Sequence, residues 1–415
     1  MAPSSKHARQ CARNVLIVTN VSLHLVESAD MYPDGPALRC DGITTTYSEL
    51  ADNAARFAAY LDHRGLRPGD RVAVMLASGP EFAVVFYGVL HAGAVVVPMN
   101  PLRNSREVAS VLANTGARLL VSALSCWPAA IAGALAAGVP PIGIGEHTLR
   151  QLTDDFLGHA WPVTRANHDN AVILHTSRTT GGPKAAQLTH RNLLNSQAVI
   201  ARSLLNIGPD DVVLGCLPTF HAFGMTYGLG AVISSGATLA LLSRFDSGRT
   251  LEMFAAERVT VFEGAPAMYA ALLGVVASHD LDFGSLRLCI SVGAAMPAEV
   301  LRRFEDKFDC MVLESYGLRE TSGVACSNHP HAIRKLGSIG TPVDGMRMRV
   351  VDDRGTQVPI GTLGEIQVRG HTVMKGYWNL AASGADAVVD EWFSTGDIGR
   401  VDEDGYFFLV ARKDI

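Results

Sequence analysis

His175–His190 reads HTSRTTGGPKAAQLTH, and the fold turns on how that stretch is understood. From Thr176 to Gly182 every residue except Arg178 is small or hydroxylated, and Pro183 and Lys184 follow. Thr176, Ser177, Thr179, Thr180, Gly181 and Gly182 have little side chain to pack. What such a run exposes is backbone N–H, hydroxyls and the Lys184 ammonium, the donors that cradle a polyphosphate. The apolar AVIL before it reads as a buried strand, and LTHRNLLNSQAVI after it reads as a helix. The G-x-x-x-x-G-K-[ST] spacing of a Walker loop is absent. On composition alone an ordinary Ser/Thr/Gly turn explains the run equally well.

Working outward, the same strand–helix alternation recurs. ALRCDGITTTY reads as a strand pair, and SELADNAARFAAYLDHRG as an amphipathic helix ending on Gly65. RPGD turns into the strand RVAVML; the helix EFAVVFYGVLHAG and the strand AVVVPMN follow. ARLLVSA, DVVLGCLP, ATLALL, VTVFEGAP and LRLCISVGA continue the rhythm. Continuous apolar strands between helices predict a parallel sheet covered on both faces. From about Lys335 the texture changes. GMRMRVVDDRGTQV and GEIQVRG read as antiparallel strands joined by polar turns.

Composition bounds the function. The 415 residues are 48% hydrophobic and 18% charged, enough for a large core. A net charge of -5 argues against nucleic-acid binding through phosphate contacts. The seven cysteines show no CxxC pair, which predicts free thiols in a reducing, cytoplasmic setting. No apolar run is long enough for a transmembrane segment.

Three further constellations carry candidate chemistry. SVGAAMPAE (291–299) and YGLRETS (316–322) each follow an apolar strand, where ligands bind in open α/β sheets. Tyr316 is suited to stacking on a flat base and Glu320 to holding Mg2+, though a surface turn with a solvated Glu is the simpler reading. LPTFHAFGM (217–225) places His221 among aromatic and small residues, either lining a cavity or satisfied in the core. STGDIG (394–399), with Arg412 downstream, places Asp397 in a tight turn, to accept ribose hydroxyls or merely cap the turn.

In this order the motifs resemble the adenylate-forming superfamily: acyl- and aryl-CoA synthetases, peptide-synthetase adenylation domains and firefly-type luciferases. The resemblance runs from about Leu25 to the last residue and rests on YSEL (47–50), AGAVVVPMNP (92–101), TSRTTGGPK (176–184), LPTFHAFG (217–224), YGLRETS, GEIQVRGHTVMKGYW (364–378) and STGD. Within it the chain is most similar to bacterial fatty-acyl-CoA synthetases. The implied fold is a large α/β domain of two stacked, mostly parallel sheet subdomains flanked by helices, with a β-rich subdomain. The corresponding division is a tail (1–24), the AMP-binding subdomains (25–334), the β-rich subdomain (335–410) and a shortened hinge (411–415).

The implied reaction is attack of a carboxylate on the α-phosphorus of ATP, giving acyl-AMP, then transfer to a thiol, that of CoA or a carrier protein. By the same match, Thr176 to Lys184 hold the leaving phosphates and Glu320 carries Mg2+. Tyr316 and the turn Gly293, Ala294, Ala295 hold adenine, Arg319 stands at the α-phosphate position, Asp397 with Arg412 holds ribose, and Glu314, Ser315, Gly317 and Thr321 count among the nucleotide-binding residues. His221, Lys184 and Glu320 are the catalytic candidates, His221 sitting at the mouth of the acyl pocket. Amino-acid-activating relatives carry an Asp just after the motif's aromatic residue; Phe220-His221-Ala222-Phe223 has none, and an ammonium buried there would lack a partner. The expected substrate is therefore a non-amino carboxylic acid, a fatty acid foremost. The resemblance also allows a homodimer.

The chain departs from the family at three places. The ending Ala411-Arg412-Lys413-Asp414-Ile415 resembles a shortened hinge with no lid domain after it, which predicts weak turnover. Arg178 stands where the phosphate loop normally has Gly, and Arg319 where a Thr or Ser contacts the α-phosphate. Arg319 either pairs with phosphate or fills the site against Glu320. The competing reading is a pseudoenzyme that binds an acyl group or a protein partner.

Overall fold

The computed structural model describes residues 18–145, 148–158, 161–176, 184–276, 281–379 and 387–413. Three large sheets organise it, beside a small two-stranded one formed by Val18–Thr19 and Arg165–Ala166. The first has seven strands, in the spatial order Gly376–Tyr377, Ala185–Thr189, Asn170–His175, Val95–Pro98, Arg71–Met75, Leu119–Ala123 and Pro141–Ile144. Arg71–Met75 runs parallel to both neighbours, and Val95–Pro98 runs parallel to Asn170–His175. Val72, Ala73, Val74 and Met75 are all fully buried, as strands covered on both faces require.

The second sheet has nine strands. At its centre Met311–Tyr316, Leu288–Ser291, Val261–Gly264, Val212–Gly215 and Thr238–Leu241 lie side by side and parallel. Its two faces pack differently. Phe262, Cys289 and Val312 share one apolar cluster with Phe254, Tyr269 and Phe304. Ile290 and Leu313 point to the opposite cluster, which also contains Tyr227, Leu229 and Leu239. The third sheet is antiparallel and includes Met346–Val351, Gly364–Gly370, Trp392–Val401 and Phe407–Arg412.

The helices begin where the side chains say they should. Thr46 caps Tyr47–His63: its hydroxyl accepts the Glu49 N–H at 3.2 Å, and Glu49 accepts the Thr46 N–H at 2.8 Å. Gly88 on Pro80–His91 lets that helix close on Tyr47–His63, because a Cβ there would sit 2.9 Å from the Ala54 carbonyl oxygen. The sulfurs of Cys289 and Cys310 approach to 3.7 Å without a disulfide, and the cysteines of the described residues are free. No helix among the described residues is long and apolar enough to cross a membrane.

One element differs from the sequence reading. Leu188 and Thr189 do not open the helix; they end the strand Ala185–Thr189, which pairs antiparallel with Asn170–His175. The helix starts at His190, because Thr189 is its extended cap (φ -84, ψ 165) and its hydroxyl takes the Asn192 N–H at 3.2 Å. The hydroxyl-rich run therefore joins the two strands of a β-hairpin.

Candidate active site

Ser177, Arg178, Thr179, Thr180, Gly181, Gly182 and Pro183 lie outside the described residues. The two residues flanking them are well placed. The Thr176 N–H donates to the Lys184 carbonyl at 2.7 Å, and the Lys184 N–H donates to Thr176 Oγ1 at 3.2 Å. The Lys184 ammonium stands 5.3 Å from the centre of the Tyr377 ring, and the Tyr377 hydroxyl donates to Glu320 Oε1 at 2.8 Å. Lys184 and Glu320 are thus linked through Tyr377, to which the sequence reading gave no role. Glu320 keeps a second oxygen for a cation. Among the described residues no three His, Cys, Asp or Glu side chains converge as a metal cage. A Mg2+ here fits if phosphate oxygens and water complete its coordination, as this ion prefers.

A cavity of about 130 Å³ opens at the C-terminal ends of the second sheet's strands. It gathers Gly293, Ala294, Ser315, Tyr316, Gly317, Asp397 and Arg412, distant in sequence and grouped in advance by the motifs. Asp397 lies within the strand Trp392–Val401 rather than in a free tight turn, although Gly396 before it has φ +73. Antiparallel pairing sets Arg412 directly opposite Asp397. The Tyr316 hydroxyl donates to Asp397 Oδ2 at 2.6 Å, and Arg412 Nε lies 3.7 Å from Oδ1. Burial raises the Asp397 carboxyl above its usual range, against the pull of Tyr316 and Arg412. Ala295 is exposed beside this group, and Thr321 is buried, its hydroxyl taking the Leu318 N–H at 2.8 Å.

Glu314 faces elsewhere. It lines a neighbouring cavity of about 230 Å³ with Glu305 and Arg334, and accepts the Gly337 N–H at 3.2 Å. Burial pushes its carboxyl up to about 7, against hydrogen bonds from the Gly337 and Met296 backbone. Glu314 ties the 293–297 loop to the segment entering the third sheet.

A third cavity, about 210 Å³, is lined by Asn100, Arg103, His175, Phe220, His221 and Arg319, among others. Arg319 Nη2 lies 3.4 Å from His221 Nε2. Among the described residues Arg319 forms no ion pair with Glu320, and its guanidinium points to the histidine. Burial first, and the guanidinium second, hold His221 down to about 4, so its ring is neutral at pH 7. His175 is likewise held to about 4 by burial and Arg103, and neither of its ring nitrogens has a hydrogen-bond partner. His175 opens the quoted stretch, yet no sequence pattern distinguishes it from a core histidine. Asn100 and Arg103 follow the strand Val95–Pro98 of the first sheet, and only folding brings them here.

The turn Leu318–Glu320 joins the two cavities: Leu318 lines the one with Tyr316 and Asp397, and Arg319 lines the one with His221. A carboxylate in the second and a nucleotide phosphate at the first would meet at this turn.

Comparison with known proteins identifies the family. The model of the family described as AMP-binding enzyme matches residues 25–378. A long-chain-fatty-acid–CoA ligase of Bacillus subtilis (strain 168) is 32% identical, over 94% of this chain and 76% of its own length. A feruloyl-CoA synthase of an Amycolatopsis species is 35% identical, over 93% of this chain and 77% of its own. The inhibitor-bound N-terminal domain of FACL13 from Mycobacterium tuberculosis superposes with a TM-score of 0.88 at 29% identity, covering 95% of this chain and 99% of that one. The family model, the sequence similarity and the fold place this chain in the AMP-binding enzyme family of acyl-adenylate-forming acid ligases.

Proposed function

We propose that this chain binds ATP with Mg2+ and activates a non-amino carboxylic acid, a fatty acid foremost, as its acyl-adenylate, for transfer to the thiol of CoA. The observation that carries the reading is the shared turn at Leu318–Glu320, with the cavity of Tyr316 and Asp397 on one side and a cavity carrying Arg103 and Arg319 on the other. Tyr316 and Asp397 hold the nucleoside. Lys184 and Arg319 supply positive charge where phosphate charge develops, and Glu320 anchors the cation. Neutral His221 closes the acid side without competing for the phosphates. Phe220 and Phe223 beside it bring apolar surface and no carboxylate, which suits an uncharged acyl chain.

The test is ligand-induced thermal stabilisation by a non-hydrolysable dodecanoyl-adenylate, set against ATP·Mg and the free acid. A ligand that binds only the folded state at a hundred times its Kd adds about 2.7 kcal/mol. Wild type should melt higher with the analogue, and Asp397→Asn should lose most of that shift. Cooperative melting with no shift from either analogue or ATP would sink the reading.

A further inference from the structure

Across the centre of the second sheet one register row reads Gly215, Glu263, Ile290, Leu313. Ile290 and Leu313 belong to the apolar cluster that packs under the helix Gly224–Ala231. Glu263 occupies the same row. It is fully buried, and neither carboxyl oxygen has a hydrogen-bond partner. A buried polar group left unpaired is costly and rare enough to need a reason.

The surroundings point to a ligand. Gly228 faces Glu263 from the helix, and a Cβ there would come within 3.3 Å of Oε2. Gly215 beside Glu263 also withholds a side chain. The preceding helix residue, Tyr227, hydrogen-bonds through its hydroxyl to Ser315 Oγ at 2.7 Å, and Ser315 lines the cavity of Tyr316 and Asp397. The helix itself is a run of wide π turns that follows His221 after two residues, and such irregular helices concentrate at functional sites. One stretch of helix therefore runs from beside the cavity that holds His221 to Gly228, which faces Glu263.

We infer that Glu263 is a specificity-determining residue at the far end of the acid pocket, and that the preferred acid carries a hydroxyl, alcoholic or phenolic, at the end opposite its carboxylate. A protonated carboxyl both donates and accepts, which complements a hydroxyl; a plain alkyl end would leave both oxygens unpaired. Burial keeps this carboxyl protonated well above the ordinary range of a Glu. The inference rests on the acid-activation reading above and deepens it.

The test compares hexanoic, octanoic and decanoic acids with their ω-hydroxy forms, and cinnamic acid with its para-hydroxylated form. Binding is read by calorimetry and by melting shift in the presence of an ATP analogue. At least one hydroxylated acid should bind about tenfold tighter than its parent, the worth of one satisfied hydrogen bond. Glu263→Leu should abolish that preference while melting no lower than wild type without ligand. Glu263→Met serves the same purpose if the Leu variant does not fold. Binding of plain and hydroxylated acids alike, or a preference that survives Glu263→Leu and Glu263→Met, overturns the inference alone. Failure of every acid to bind overturns the underlying reading and this inference with it.

Discussion

Arg319 and His221 show how one side chain sets another's charge state. His221 is desolvated and lies 3.4 Å from a guanidinium, so protonating it would place two cations together in a low-dielectric cavity. Arg319→Met removes the second cause and leaves the first. The His221 pKa should then rise from about 4 toward, but not up to, the ordinary imidazole value. Titration of the ring protons by NMR checks this; an unmoved pKa would mean burial alone is responsible. Sequence reasoning reached both residues by motif and named Arg319 as anomalous. It left open whether Arg319 turned to Glu320 or to phosphate, because side-chain direction depends on neighbours that pattern does not reveal.

At the scale of elements, two glycines in the cavity of Tyr316 and Asp397 do different work. Gly317 follows the strand Met311–Tyr316, and a Cβ there would lie 2.2 Å from the Gly323 carbonyl oxygen. Gly293 has φ +88, and a Cβ there would meet nothing within 4 Å. Gly293→Ala should therefore cost about 1 kcal/mol, the strain of a left-handed residue. Gly317→Ala forces backbone against backbone and should cost about 3 kcal/mol or more. Urea unfolding of both variants measures the difference; equal losses would refute the steric argument. Most strands were legible because their apolar runs end at turn residues. The strand Ala185–Thr189 was not, because AAQLT has no more β character than helix character. Its pairing with Asn170–His175 depends on the geometry of a hairpin, not on local propensity.

For the whole molecule, buried ionisable groups of opposite sense oppose one another. His175, His190 and His221 are each held to about 4, chiefly by burial. Between pH 4 and the ordinary imidazole value the unfolded chain takes up protons that the folded one refuses, so these groups weaken the fold as pH falls. Glu314 acts in reverse. It keeps its proton up to about 7 when folded, and an unfolded Glu loses it near 4.5, so its share of stability is lost as pH rises through that window. Removing it should steepen the profile: from pH 5 to pH 7 the stability of Glu314→Gln should gain about 2 kcal/mol on wild type. Urea midpoints at the two pH values decide, and parallel curves would show that Glu314 does not titrate as placed.

The sequence by itself determined the α/β class and the order of most strands and helices, and its motifs put Tyr316, Asp397, Arg412, Lys184 and Glu320 forward as candidates for one site. Hydrophobic period and turn residues are local properties, and the motifs recur in a fixed order. Tertiary structure alone decided that Tyr377 links Lys184 to Glu320, that Glu314 faces the neighbouring cavity, and that Asp397 meets Arg412 across paired strands. It alone set Glu263 unpaired in an apolar row. These facts depend on strand register and on which face of a sheet a side chain takes. Register is fixed by packing between segments far apart in the chain, so no local stretch of sequence carries it.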